Sequence, residues 1–148
     1  MGALVHIMSG IPGSGKSTYA RQKFAAAVVV SADDLFVRPD GRYVFEPERI
    51  GEAHASCFRR FVDLLAAGTP LIVVDNTNVH CWEISPYVLA AQAYGAAAVQ
   101  VHRLLVDTNI AWSRCVHEVP WRTVKAMADA MRDAPPLLPW WDVVEVDR

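Results

Sequence analysis

The sequence predicts an α/β domain, with a parallel five-stranded sheet flanked by helices. Three observations carry that prediction. Short apolar runs alternate with helical patterns along the whole chain, the signature of βαβ units. One run, "LIVVD" (Leu71–Asp75), is apolar up to its terminal acid, as a strand buried on both faces should be. The chain has 148 residues, 53% of them hydrophobic, with no internal repeat or low-complexity tract. That is enough to build one real core, so residues 1–148 read as a single domain.

Each element follows from local signals. "ALVHIM" (Ala3–Met8) is a first strand, and "KSTYARQKFAAA" opens a helix from Lys16. "VVV" (Val28–Val30) is a second, β-branched strand. "RPDGRYVF" is a loop that turns at Asp40-Gly41. Pro47 suits the first turn of a long helix that stops at Gly68. Leu71–Asp75 is the third strand, and "WEISPYVLAAQAYG" is a helix with Pro86 in its first turns. "AAAVQVHRLLV" ends in a fourth strand, and Asp107 or Thr108 caps the helix after it. Pro120 opens another helix that Pro135-Pro136 end, and "DVVEVD" is a fifth strand.

Composition narrows the possible roles. No apolar run approaches the roughly 20 residues of a membrane span. "MGALVHIMSG" lacks the basic start of a signal peptide and does not fit a myristoylation site. Cys57, Cys81 and Cys115 are odd in number and widely spaced, which fits a reducing, cytoplasmic compartment better than a disulfide framework. The Cys115/His117 and His80/Cys81 pairs lack the spacing of a zinc site. A net charge of −2 argues against coating long nucleic acid, though not against gripping a chain end. The five histidines are scattered, and only His80 and His117 could touch a ligand. "FRRF" (Phe58–Phe61) reads as a helix turn with solvated arginines, and Trp140-Trp141 as core closure or a partner surface.

The chemistry begins in "GIPGSGKST", between the first strand and the first helix. It matches G-x-x-x-x-G-K-[ST] at Gly10, Gly15, Lys16 and Ser17. Gly13 and Gly15 let backbone N–H groups turn inward as an anion cradle, and the helix N-terminus adds partial positive charge. Lys16 is suited to the β- and γ-phosphates, and the Ser17 hydroxyl to Mg²⁺. Residues 10–18 are therefore a phosphate loop, with Gly13, Ser14, Gly15, Lys16, Ser17 and Thr18 binding the nucleotide, ATP or another nucleoside triphosphate.

Two further strand ends share the loop's edge of a parallel sheet. The third strand ends in Asp75, followed by Asn76, Thr77 and Asn78. Asp75 is suited to a metal-bound water, or alternatively to capping a turn. Thr77 and Asn78 are hydrogen-bonding groups for an acceptor. The second strand ends in "SADD" (Ser31–Asp34). One of its acids could accept a proton from a substrate hydroxyl, or the pair could only cap the next turn.

"GIPGSGKSTYAR", "VSADD", "VVDNTN" and "RCVHEVP", in that order and over nearly the whole chain, resemble the 5′-OH polynucleotide kinase family of P-loop phosphotransferases and its AAA-like relatives. The resemblance implies a P-loop NTPase fold with a helical lid at about residues 107–123. It implies Asp33 as general base, Lys16 and Ser17 as phosphate and Mg²⁺ ligands, and Arg114 as the lid arginine that stabilises the migrating phosphoryl group. Where a phage relative has an acceptor-binding arginine, this chain has Phe36. Arg38 could substitute for it, or Phe36 could stack on a base. The lid holds few arginines, mainly Arg114 and Arg122, and no phosphatase motif D-x-D-x-T is present.

The expectation is a kinase using ATP and Mg²⁺, with the 5′ end of a nucleic acid as acceptor and no membrane partner. Two rivals stay open at the level of sequence. One is a small-molecule kinase for a sugar, nucleoside or antibiotic. The other is an ATP-binding or ATP-hydrolysing switch without an acceptor.

Overall fold

A computed structural model describes residues 2–115 and 118–148. Val116 and His117 lie outside the described residues, so the expectations for His117 and for that part of the lid are not tested by it. Five strands form one parallel sheet: β1 (Leu4–Ser9), β2 (Val28–Val30), β3 (Leu71–Asp75), β4 (Ala98–Leu105) and β5 (Asp142–Asp147). Their spatial order is β2-β3-β1-β4-β5. The helices are α1 (Lys16–Lys23), α2 (Ile50–Ala66), α3 (Cys81–Ala93), α4 (Thr108–Ser113) and α5 (Trp121–Asp133), with 3₁₀ turns at Ala32–Phe36 and Pro47–Arg49.

Alternation along the strands splits the core into two layers. Val5, Ile7, Ile72 and Val74 pack with Ala53, Cys57, Phe61 and Leu65 of α2 and with Ile84, Val88 and Ala91 of α3. The α2 residues recur every fourth position, so they form one apolar stripe. Met8, Val73 and Leu104 face the other way, onto Tyr19 and Ala20 of α1. Both faces are thus covered, which a parallel sheet requires.

Register sets the functional edge. Met8 pairs with Asp75, Val30 with Val74, and Ser9 with Arg103. The carboxyl ends of β1, β2 and β3 therefore finish level. The chain leaves each of them into one of the three polar stretches singled out above.

Local details refine the sequence reading. The first helix ends at Lys23, short of the alanine run. The long helix starts as a 3₁₀ turn at Pro47 and becomes α-helical at Ile50. Asp107 is the cap of α4, its Oδ1 accepting from the backbone N–H groups of Asn109 and Ile110 at 2.9 and 3.2 Å. Trp141 packs partly against the core while Trp140 is exposed. Phe36 is 2% exposed and meets Tyr43 and Phe45 edge to face. It is a core residue, so the expectation that it stacks on a base is corrected. Among the described residues no helix is long and apolar enough to cross a membrane.

One buried polar group behind the phosphate loop makes stability depend on pH. His102 is 3% exposed. Its Nε2 lies 2.9 Å from His6 Nδ1, and its Nδ1 lies 2.9 Å from the Tyr19 hydroxyl. Phe24 stacks on His6, with ring centroids 3.9 Å apart. Burial, with the neighbouring His6 and Lys23, lowers the His102 pKa to about 4. Burial lowers that of His6 as well. The unfolded chain binds these protons first, so the stabilisation is present above pH ~6.5 and lost as pH falls. Denaturant unfolding should show a loss of about 2 kcal/mol between pH 6.5 and 5, and His102→Gln should flatten that slope. An unchanged slope in the variant would remove His102 as its source.

Candidate functional site

The phosphate loop owes its shape to two glycines in the left-handed region, Gly13 (φ 80°) and Gly15 (φ 88°). A side chain would be strained at either position. A Cβ on Gly13 would also lie 1.8 Å from the backbone oxygen of Ala111, so α4 packs directly on the loop. Gly15 caps α1. Ser14 is fully buried, and its Oγ is a buried oxygen without a hydrogen-bond partner among the described residues. Left-handed glycines, a helix N-terminus and an orphaned hydroxyl fit a bound phosphate.

Lys16 donates from Nζ to the backbone oxygens of Gly10 and Ile11, at 2.9 and 3.0 Å. Burial lowers its pKa, and the charges of Asp75 and Asp33 partly oppose that. Both carboxylates therefore act electrostatically on one ammonium, although they leave different strands. Ser17 donates its hydroxyl to Asp75 Oδ2 at 2.6 Å. These two hard oxygen donors, side by side next to the phosphate cradle, fit Mg²⁺, which takes few protein ligands together with phosphate and water. Thr18, next in the helix, is exposed.

The turn after β2 separates its two acids. Ser31 and Asp34 form a capping box: Asp34 Oδ2 accepts from the Ser31 N–H at 3.2 Å. Asp34 also receives Arg60 Nη1 at 2.6 Å, so one solvent-exposed arginine of "FRRF" is also ion-paired. Asp33 has a different environment. Its backbone N–H donates to Ser31 Oγ at 3.2 Å, and its Oδ1 accepts from the Tyr43 hydroxyl at 2.9 Å. Burial and the Asp33 charge push the Tyr43 pKa far up, so the phenol stays a donor. Asp33 Oδ2 carries no hydrogen bond among the described residues.

The turn is tied to β3 by Asn76. Its Oδ1 accepts from the Ala32 N–H at 2.8 Å. Its Nδ2 faces Cys57 Sγ at 3.6 Å, and the Tyr87 hydroxyl donates to the same sulfur at 3.3 Å. Strand β3 and helices α2 and α3 thereby fix the residue that precedes Asp33.

Other expected site residues sit elsewhere. Asn78 is 3% exposed with φ 45°. Its amide donates to the Met8 oxygen, and its own backbone oxygen accepts from Ser9 Oγ, both at 2.8 Å. It locks β3 to β1, which corrects the expectation that it touches the acceptor. Arg38 is ion-paired with Glu46, which also receives Arg49 at 3.2 Å, so its guanidinium is already engaged. Thr77 accepts the Gly10 N–H through its backbone oxygen at 2.8 Å. Thr77 lines a cleft of about 500 Å³ between the exit of β3, the start of α3 and α5. Arg114 is exposed at the end of α4, with no ion pair among the described residues.

Tyr43, Asn76, Arg60 and Arg148 escaped the sequence reading as site components. Arg148 lies with Nε 3.4 Å from where a Cβ on Gly15 would be, and its guanidinium is 5.8 Å from the Tyr19 ring centroid. It adds positive charge beside the loop. Only Asn76 gave a signal, as the first amide of "NTN".

The phosphate cradle, Ser17–Asp75 and the parallel order β2-β3-β1-β4-β5 define a kinase-like P-loop nucleotide-binding domain. Comparison with known proteins agrees: the chain belongs to the AAA domain family, whose profile matches residues 5–132. NEDD4-binding protein 2 of Homo sapiens is 35% identical over 97 residues, which is 64% of this chain and 5% of that protein. The chain thus spans a small fraction of that relative's length. A chain of the Pnkp1/Rnl/Hen1 RNA repair complex has a similar fold, with TM-score 0.70 and 20% identity over 88% of this chain and 44% of its own. Kti12 of Chaetomium thermophilum, solved with ADP-AlF₃, gives TM-score 0.70 and 15% identity over 97% and 88%. A sugar kinase from Janibacter sp. HTCC2649 gives 0.59 and 18% over 99% and 86%.

Asn76→Ala should leave the Ala32 N–H unpaired in the interior and cost about 1–3 kcal/mol in urea unfolding. Loss of less than ~0.5 kcal/mol would mean that the turn after β2 holds itself in place.

Proposed function

We propose that the protein transfers the γ-phosphoryl group of ATP to the 5′-hydroxyl end of DNA or RNA. The division of labour between the two adjacent acids carries this reading. Asp34 performs the capping role that could have accounted for both. Asp33 keeps one carboxylate oxygen without a partner among the described residues, while Tyr43 fixes the other. A carboxylate so oriented, electrostatically coupled to the phosphate-loop lysine, suits a general base.

In this mechanism Asp33 Oδ2 takes the proton of the acceptor hydroxyl. The hydroxyl oxygen bonds to the γ-phosphorus as the bond to the bridging oxygen breaks, and ADP leaves. Lys16 and Arg114 stabilise charge on the group in transit. Ser17 and Asp75 would hold Mg²⁺, which when bound neutralises charge on the β- and γ-phosphates. The nucleic-acid acceptor is supported by the resemblance in "SADD", "DNTN" and "RCVHEVP" and by the fold shared with a chain of an RNA repair complex.

The test is label transfer from γ-labelled ATP to a 5′-OH oligonucleotide. Wild type should label DNA, RNA or both, and Asp33→Asn should lower the rate 10²–10⁴-fold. Asp34→Asn should stay within about tenfold of wild type while lowering stability by about 1 kcal/mol. ATP hydrolysis without oligonucleotide labelling would overturn the acceptor and direct the search to small hydroxyl compounds. Hydrolysis indifferent to Asp33→Asn would overturn the base.

A further inference from the structure

The cleft beside Thr77 contains groups that the phosphoryl-transfer chemistry does not use. Trp82, at the start of α3, is 72% exposed. The His80 imidazole stacks beside its indole, with centroids 5.8 Å apart and planes 16° from parallel. The two rings are nearly parallel and stacked, and most of the indole stays open to solvent. His80 is held in place by Glu83, whose Oε2 accepts the His80 N–H at 2.7 Å and lies 3.1 Å from Nδ1. Arg122 lines the opposite wall, on α5, and has no ion pair among the described residues. The one carboxylate among the lining residues, Glu83, is thus engaged by His80, whereas the guanidinium is not engaged. Val79 and Met127 supply apolar floor between the walls.

Both walls are rooted in the reaction centre. Thr77 bonds the first glycine of the phosphate loop and follows Asp75 by two residues. Val124, two residues after Arg122, packs with Ile11 of the loop and Ala111. The cleft's two walls are thus tied to the phosphate loop, one through Thr77 and the other through Val124. An exposed aromatic face opposite an unpaired guanidinium matches a ligand with a flat π-system joined to an anion.

We propose that this cleft is the acceptor subsite for single-stranded nucleic acid. A base near the 5′ end stacks on Trp82, and a backbone phosphate is held by Arg122. The inference rests on the proposed acceptor class and deepens it. Stacking tolerates every base, so the subsite would read the strand with little sequence preference. A nucleoside without a phosphate would lose the Arg122 contact.

The test is fluorescence anisotropy with a 3′-labelled 5′-OH decanucleotide and no nucleotide added, run beside label transfer. Trp82→Ala should weaken binding about tenfold or more, with Trp82→Phe within about threefold of wild type. Arg122→Ala should weaken binding and reduce the salt slope by about one. Circular dichroism would show that each variant is folded. If wild type binds and labels the strand while Trp82→Ala and Arg122→Ala bind equally well, the cleft is not the subsite, though the proposed reaction survives. If wild type binds in a Trp82-dependent way but transfers no label, the cleft holds single strands, but the reaction falls and the cleft's role as an acceptor subsite falls with it. If wild type neither binds nor labels oligonucleotides, both are overturned.

Discussion

Strand register is the constraint on which the site depends. Five parallel strands present all their carboxyl ends at one edge, and the pairings Met8–Asp75 and Val30–Val74 bring the exits of β1, β2 and β3 level. A slip of one residue would turn every side chain of a strand to the opposite face. It would take Asp75 away from Ser17 and put His6 or His102 where Val5 or Val101 now packs. The phosphate loop, the paired acids and "NTN" are far apart in the chain. Register makes them neighbours.

What keeps that edge fixed is a small set of buried polar contacts rather than surface ion pairs. Asn78 and Ser9 tie β3 to β1, and Asn76 ties the turn after β2 to β3. Each satisfies a backbone group at or just beyond a strand end, and such a group would be costly to bury unpaired. Asn78 adopts a left-handed backbone, which asparagine tolerates better than most residues. The exposed pairs, such as Arg132–Asp133 and Arg42–Asp40, contribute little by comparison.

The parts of this arrangement that depend on short-range pattern were readable from the chain. Strand period, glycine spacing and proline position located all five strands and the phosphate loop. The partners that depend on tertiary approach were not. Tyr43 lies ten residues from Asp33 across an irregular loop, and Arg60 lies 26 residues from Asp34 on another element. No local spacing announces either contact. Asn78 shows the converse limit. Its place in a polar stretch suggested a ligand contact, but only the folded backbone reveals that its amide faces β1. Phe36 likewise looked available until Tyr43 and Phe45 closed over it.

The contact between Gly13 and Ala111 bears on how far the α4 end can travel. The loop and the helix touch with no room for even a methyl group, so that point acts as a fulcrum. Arg114 lies three residues beyond it, about 4.5 Å along a helix axis. If α4 turned by about 20° on that fulcrum, the Arg114 backbone would shift only about 1.6 Å. A lever arm this short gives fine positioning of a charge and a poor sweep.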